Sequence, residues 1–324
     1  IRRPPRSTQG VSSAASDVYK RQAIPIPIRE TFTYQSKEII NSGSRVAVKF
    51  RNKDIVGYVV KKLDDKPDFL TTDISEILDQ EPIFKPSDMQ IILWLADYYH
   101  HPIGEVFDTF CPPALRKIIK TDTLIAAEDT RYLASKEDKV FELNEEQVDC
   151  LKEIKSLKGF DPCLLYGVTG SGKTEIYLQT ADSYLSKGYS ILILVPEISL
   201  TPQLQERFIN RFGDNIGIYH SRQTPKQRFD LWQRARSGDI KIVIGTRSAV
   251  LCPLYNLGLI IIDEEHDQSY KQHEGFRFSA RDVSIKRAQV KNIPIILGTA
   301  TPSLQTLKLV EDKKYKQTNI LQRA

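Results

Sequence analysis

Cysteine is scarce in this chain and is not grouped. Cys111, Cys150, Cys163 and Cys252 are spread over 324 residues, and no two form a C-x-x-C pair. This argues against a disulfide scaffold and against a zinc site within these residues. Buried free thiols in a reducing compartment are expected instead. No run of 18 apolar residues occurs, so no membrane-spanning helix is expected. The only methionine is Met89 and residue 1 is Ile, so the natural start is expected to be missing. Hydrophobic and charged contents of 40% and 27% are those of an ordinary globular protein with room for two or three domains.

An excess of one charge is also lacking over most of the chain. The formal net charge is +5, but Arg2, Arg3, Arg6, Lys20 and Arg21, opposed only by Asp17, place +4 of it in the first 22 residues. Any nucleic-acid argument therefore has to be local. The opening IRRPPRSTQGVSSAASDVYKRQ has no apolar h-region, which excludes a secretory signal. Its Arg- and Ser-rich composition is shared with transit peptides, but it reads better as translated adaptor sequence. Residues 1–22 are taken as a non-native or disordered leader.

Residues 23–110 have a β texture. The prolines of Ala23-Ile24-Pro25-Ile26-Pro27-Ile28 suit an edge strand or an extended entry. Thr31–Tyr34, Arg45–Phe50, Asp54–Val60 and Ile74–Leu78 are strand candidates, with a turn at Asn52-Lys53. Arg45–Phe50 alternates as a half-buried strand should. A helix over Pro86–His100 closes a small β-barrel-like unit. Residues 111–143 read as a charged linker with little core of its own. From Asn144 onward, apolar strands at Leu164–Tyr166, Ile191–Val195, Ile216–Tyr219, Ile240–Ile244, Leu259–Ile262 and Ile293–Leu297 alternate with helices. The helix candidates are Glu175–Ser186, Thr201–Phe212, Lys226–Ser237 and Ala280–Lys291. Continuous apolar strands between helices indicate an α/β fold, a parallel sheet covered on both faces.

Within that pattern, Gly167-Val168-Thr169-Gly170-Ser171-Gly172-Lys173-Thr174 fits G-x-x-x-x-G-K-[ST] between a strand and a helix. Glycines let backbone N–H groups curl around phosphate oxygens at a helix N-terminus. Lys173 is placed to reach the β/γ-phosphates, and the Thr174 hydroxyl to hold Mg²⁺. Leu259–Ile262 runs into Asp263-Glu264-Glu265-His266, carboxylates at a strand end where open α/β sheets bind ligands. Asp263 suits Mg²⁺ and Glu264 suits an attacking water. PEISLTPQ (196–203), Gly245-Thr246-Arg247-Ser248-Ala249 and Gly298-Thr299-Ala300-Thr301-Pro302-Ser303 also follow strands. They offer hydroxyls and N–H groups either to a phosphodiester backbone or to helix caps. Between Tyr270 and Lys291, six Lys/Arg face two Asp/Glu. There Tyr270, Phe276 and Phe278 interleave with Lys271, His273, Arg277 and Arg281, the ingredients of single-strand binding. The competing reading is a surface loop anchored by its aromatics.

In order, GVTGSGKTEIYL, LVPEISLTPQ, GTRSAV, DEEH and GTATPS resemble superfamily 2 helicases, and more narrowly the replication-restart family of primosomal protein N′ (PriA). YKQHEGFRFSARD is similar to that family's aromatic-rich loop, and PIPIRETFTY, SGSRVAVKF and IVGYVV to its 3′-DNA-end-binding domain. The resemblance implies a β-barrel-like DNA-binding domain over 23–110 and a RecA-like ATP-binding lobe over 144–324. It implies a 3′→5′ DNA helicase that recognises stalled forks, uses ATP and Mg²⁺, and works in the bacterial cytoplasm at the nucleoid. Forked and single-stranded DNA with a 3′ end, single-stranded DNA-binding protein and helicase loaders are the implied partners.

By position, Gln147 matches an adenine-contacting glutamine, Asp263 and Glu264 the metal-holding and water-activating pair, and His266 the residue coupling ATP to DNA. Phe32, Tyr34 and Gly43 match the pocket for a 3′ end, where Thr33 replaces an Asp of some relatives. Arg247 and the loop residues match strand contacts. The family's winged helix is absent or truncated in 111–143. Its second lobe, with a zinc module and an arginine finger, is expected after Ala324. Rival readings are a RecG-like fork translocase and a fork-binding protein with an idle phosphate loop. A small-molecule kinase shares the phosphate loop alone.

An arginine finger is worth about 10³–10⁵ in rate. These 324 residues by themselves are therefore expected to hydrolyse ATP very slowly in a phosphate-release assay. Robust DNA-stimulated turnover would contradict this.

Overall fold

The computed structural model describes residues 18–121, 141–197 and 199–323. The first five strands are β1 (Val18–Ala23), β2 (Phe32–Ser36), β3 (Arg45–Phe50), β4 (Lys53–Lys62) and β5 (Thr72–Ile77). They close into a barrel in the order β1-β2-β5-β3-β4. Arg51 and Asn52 both have positive φ, 46° and 64°, as the tight turn of a two-residue hairpin demands. Ile24, Tyr34, Ile40, Val46, Val48 and Val59 fill the barrel. The other face of β3 and β4 is covered as well: Ala47, Val56 and Tyr58 join a second core. β3 is therefore buried on both faces rather than half-buried as its alternation suggests.

The cover is α1 (Pro86–Tyr98) and α2 (Ile103–Phe110). Tyr58 stacks on Phe107 with ring centroids 5.0 Å apart. A Cβ at Gly104 would lie 1.7 Å from the Ile24 carbonyl oxygen, so only glycine lets α2 approach the barrel this closely.

Two boundaries need correction. The barrel starts at Val18, inside the stretch set aside as leader, because β1 pairs antiparallel with both β2 and β4. Within it, Lys20 and Gln22 are buried. Burial and neighbouring Lys62 hold the Lys20 ammonium below its ordinary pKa. Neither polar atom of the Gln22 side chain has a hydrogen-bond partner. The linker, in turn, contributes core at its start, since Cys111 and Leu115 are buried. Fully buried Arg45 pairs with Asp79 at 2.6 Å. It also donates to the Leu115 carbonyl at 2.6 Å, the Ile119 carbonyl at 3.2 Å and Thr121 Oγ1 at 2.8 Å. Removing one member of such a buried pair costs about 3–5 kcal/mol. The winged-helix question falls on 122–140, outside the described residues.

The second unit opens with α3 (Glu145–Ser156), capped reciprocally by Asn144 and Gln147. Then follow β6 (Pro162–Gly167), α4 (Lys173–Leu185), β7 (Ser190–Leu194), α5 (Pro202–Phe212), β8 (Ile216–Tyr219) and α6 (Pro225–Ser237). β9 (Ile242–Gly245), β10 (Leu257–Ile262), α7 (Ala280–Lys291), β11 (Ile295–Thr299), α8 (Leu304–Glu311) and β12 (Lys316–Ile320) complete it. The strands form one seven-stranded sheet, β12-β6-β11-β10-β7-β9-β8, and every pairing is parallel. β10 is buried along its whole length, the condition that makes a central strand read as an unbroken apolar run. The polar edge strand β12 and the short helix α8 carry weaker patterns, and the sequence reading passes over them; it also passes over α2, although its apolar face is plain, and α3. Among the described residues no helix is long and apolar enough to cross a membrane.

The two units share a core cluster that runs from the α1–α2 elbow to β10 and α7. Arg236 on α6 donates to the carbonyls of Pro82 and Ile83, and Lys291 on α7 to Ser87 Oγ at 2.7 Å. A buried amide without partners costs about 1–3 kcal/mol. Gln22→Leu is therefore expected to raise stability by roughly that amount in a urea titration. A lower midpoint would mean that the amide is satisfied in solution.

Candidate nucleotide and nucleic-acid site

The phosphate loop leaves β6 and enters α4. Gly170 and Gly172 have φ of +79° and +83°, the left-handed conformation that a side chain resists. Gly170 is exposed and a Cβ there would meet nothing within 4 Å, so the requirement at this position is the backbone conformation and not space. The α4 N-cap is Gly172, and no side chain caps the helix. Its first N–H groups thus face a site suited to an anion. Buried Ser171 Oγ has no partner. Lys173 Nζ donates to the Gly167 carbonyl at 2.8 Å and lies 3.7 Å from Glu264 Oε1. Left-handed glycines, an uncapped helix, the unpartnered Ser171 hydroxyl and the Lys173 ammonium together fit a nucleotide with its Mg²⁺. Among the described residues no group of three His, Cys, Asp or Glu is placed to hold a metal by itself. The four cysteines are buried and unpaired, and burial pushes each thiol up to about 12.

Gln147 is buried. Its Oε1 accepts from the Asn144 N–H at 2.9 Å, and its Nε2 donates to the Ser171 carbonyl at 2.9 Å. It pins the loop to α3, and one N–H and one lone pair remain for a base.

Asp263 follows β10. Its Oδ1 accepts from Tyr177 Oη at 2.9 Å, and its carbonyl accepts from Tyr270 Oη at 2.5 Å. Tyr270 Oη also donates to the Leu194 carbonyl at 3.1 Å. Tyr177 stands one turn after Thr174 on α4, so the Thr174 hydroxyl shares the face that meets Asp263. A Cβ at Gly298 would lie 1.8 Å from the Tyr177 hydroxyl, so β11 needs glycine there. Burial raises the Asp263 carboxyl above its ordinary pKa, helped by Glu264 and opposed by the Tyr177 hydroxyl and Lys173.

Glu264 has φ +43°, a strained conformation of the kind found at working sites. Its Oε2 accepts from Thr299 Oγ1 at 3.1 Å and from the Ala300 N–H at 3.4 Å. His266 Nδ1 meets Thr299 Oγ1 at 2.8 Å and its Nε2 meets Thr301 Oγ1 at 3.2 Å. Lys173, Glu264, His266 and the segment after β11 therefore form one connected set. Buried Glu265 turns inward, accepting from Arg281 Nε at 2.7 Å and the Ser303 N–H at 2.7 Å.

Several expected DNA contacts are placed otherwise. Tyr270, Phe276 and Phe278 are buried, and so is Arg281. Phe276 packs against His101 and Phe278 at 4.7 and 5.2 Å between ring centroids. Arg281 is spent on Glu265, Gln305 and Thr306. The aromatics anchor the loop, and its exposed cations are Lys271 and Arg277. Arg247 is half-buried, and its guanidinium donates to the Ser269 carbonyl at 3.3 Å. In the barrel, Tyr34 is buried with its hydroxyl on the Lys49 carbonyl at 3.2 Å. Gly43 is also buried, with φ +92°, and a Cβ there would lie 2.3 Å from the Phe84 carbonyl oxygen. Both are closely packed, while Phe32 is half-buried, edge-on to Phe50. Tyr177, Gly298 and Glu265 were missed as site residues, although all three stand inside the quoted motifs.

Residues 144–310 match the DEAD/DEAH box helicase family, and residues 22–112 match the 3′ DNA-binding domain named for PriA. The chain is 33% identical to the replication restart protein PriA of Haemophilus influenzae, over 94% of this chain and 52% of that protein. It is 38% identical to the Helicobacter pylori protein of the same name, over 87% of this chain and 42% of that one. The chain thus spans about half, or less, of the length of these relatives. Among solved structures, RecG bound to a three-way DNA junction aligns with 56% of this chain and 24% of its own, at 22% identity and a TM-score of 0.43.

Tyr177→Phe removes a hydrogen bond that favours ionised Asp263, of a kind worth about 1.5–3 kcal/mol. The carboxyl then keeps its proton to higher pH. The acidic limb of Mg²⁺-dependent nucleotide binding is expected to move to higher pH in calorimetric titrations. An unmoved limb would remove Tyr177 from the site.

Proposed function

The chain belongs to the DEAD/DEAH box helicase family, and from that premise we propose that it works in an ATP-dependent 3′→5′ DNA helicase of the replication-restart primosome. That helicase recognises stalled or abandoned forks and couples ATP hydrolysis to strand unwinding. One observation carries the reading. Lys173 lies 3.7 Å from Glu264, while Glu264 and His266 both bond to Thr299. The nucleotide-facing groups are thereby continuous with a strand-end segment fit to touch DNA.

Mg²⁺, if bound with the nucleotide, would supply charge neutralisation at the phosphates. Thr174 and Asp263 would hold the ion, the loop N–H groups and Lys173 would hold the phosphates, and Glu264 would orient the attacking water. His266 hands the state of Glu264 to Thr299 and Thr301. This offers a route by which nucleotide turnover changes the grip on one strand. The barrel unit takes a 3′ DNA end, in keeping with its family match. Single-stranded DNA-binding protein and helicase loaders are proposed as partners of the whole assembly.

In the full-length protein, Lys173→Ala is expected to abolish unwinding of a forked substrate while leaving fork affinity within about twofold, since phosphate positioning and DNA grip are separate. Equal loss of both activities, read by gel-based unwinding and fluorescence anisotropy, would contradict this division. A fork with a free 3′-OH should bind the barrel unit more tightly than one with a blocked end.

A further inference from the structure

We propose that Arg207 is a positioning residue: through buried Glu175 it sets the segment before α5 according to what the phosphate loop holds. The proposal rests on the DNA-helicase reading above and adds a second route from nucleotide to strand, separate from Glu264 and Thr299. Glu175 is the third residue of α4, directly after Lys173 and Thr174. An acid in a first turn ordinarily stays in water and answers the helix dipole. Glu175 is instead only 5% exposed. Its Oε2 accepts from Arg207 Nη2 at 2.7 Å and its Oε1 from Gln179 Nε2 at 3.0 Å.

Arg207 touches both pieces of chain that hold the loop. Besides meeting Glu175, its guanidinium lies 5.5 Å from the ring centroid of Phe141. The Phe141 carbonyl accepts from Gln179 Nε2 at 3.2 Å, and Phe141 stands just ahead of Asn144, the cap of α3. α3 in turn pins the loop through Gln147 and the Ser171 carbonyl. Farther along, Arg211 Nε donates to Asp182 at 2.9 Å. Two arginines about one turn apart on α5 thus meet two carboxylates about two turns apart on α4. A buried carboxylate holds its cation firmly, because separating them leaves a charge uncompensated. A shift of the first turn of α4 is therefore passed to α5.

α5 carries the shift to the strand ends. Thr201 caps the helix by accepting from the Leu204 N–H at 3.3 Å, and Gln205 Nε2 donates to the Leu200 carbonyl at 3.0 Å. The chain between β7 and α5 is thereby tied to the first turn of α5. Gln205, Leu200 and Glu197 line one small cleft with His220 and Thr246, which follow β8 and β9. In the sheet, β10 lies between β11 and β7. The segment after β11 and the segment after β7 therefore stand on either side of Asp263, and the two routes act on a strand from both sides of the nucleotide.

The test is the coupling between nucleotide and strand in the full-length protein. Anisotropy of a fluorescein-labelled oligo(dT) gives its affinity with and without saturating adenylyl imidodiphosphate and Mg²⁺. The two affinities are expected to differ by about fivefold or more. Arg207→Met and Glu175→Gln should each shrink that ratio about threefold, with nucleotide-free oligo(dT) affinity kept within about twofold. The double substitution should lose no more than either alone, since each removes the same pair. Arg207→Lys keeps the cation and should keep the ratio. Asp182→Asn breaks the pair farther from the loop and should leave the ratio unchanged, whereas a merely structural role would lower it alike. Glu175→Gln is isosteric, so it reads the pair even where Arg207→Met does not fold. An unmoved ratio in Glu175→Gln, or an equal fall in Asp182→Asn, overturns the positioning role and leaves the helicase reading standing. Oligo(dT) binding with no nucleotide dependence in the unsubstituted protein overturns the role as well. Failure of the unsubstituted protein to bind oligo(dT) overturns the DNA reading and the role together.

Discussion

Asp263 stands at the end of a central strand between two buried phenols, and much of the site's geometry follows from holding it there. Tyr177 reaches its carboxylate from α4, and Tyr270 reaches its carbonyl from the loop that follows. Each phenol needs a partner, because a hydroxyl taken from water into a core without one is costly. The Tyr177 hydroxyl occupies the space that a Cβ on Gly298 would take, so β11 must carry glycine at that level. The Tyr270 hydroxyl also ties off the end of β7 through the Leu194 carbonyl. Four elements (β7, β10, β11 and α4) are thus set by the surroundings of one carboxylate.

What could be read from the residues was chemistry confined to short spacings. The phosphate loop, the carboxylates after β10 and the threonines after β11 are local patterns, and the parallel sheet announced itself as apolar runs between helices. The aromatic loop was less legible for a physical reason. Tyr270, Phe276 and Phe278 interleaved with cations have the composition of a stacking platform and also of an anchored loop, and only burial separates the two. Arg281 read as a free cation because three of its acceptors, Glu265, Gln305 and Thr306, lie 16 to 25 residues away in sequence. Tyr34 and Gly43 were matched to a pocket by resemblance, and their packing against Lys49 and Phe84 is a separate fact that no local pattern announces. β12 escaped because an edge strand is polar on its open side.

The two units are joined by contacts of unlike kinds. Apolar side chains form one continuous core from the α1–α2 elbow to α7, and the aromatic loop lies over it. The Ser279 N–H, which precedes α7, donates to Tyr99 Oη on the elbow at 3.1 Å, while Phe276 meets the ring of Tyr99 edge-on. The loop that begins at the Asp263 carbonyl therefore ends against the barrel unit. A displacement at either end has a packed route to the other, since close-packed interiors transmit strain rather than absorb it.

The closure of the barrel has a consequence for how this protein can be handled. β1 is hydrogen-bonded on both sides, to β2 and to β4, so the ring has no free margin. Proteolytic nicking or trimming ahead of Ala23 would turn that seamless ring into an open sheet with two unsatisfied rims. Such rims recruit strands from other chains. Preparations cut at that point would be sticky rather than merely shorter, and their losses to aggregates would be misread as poor intrinsic folding of everything downstream.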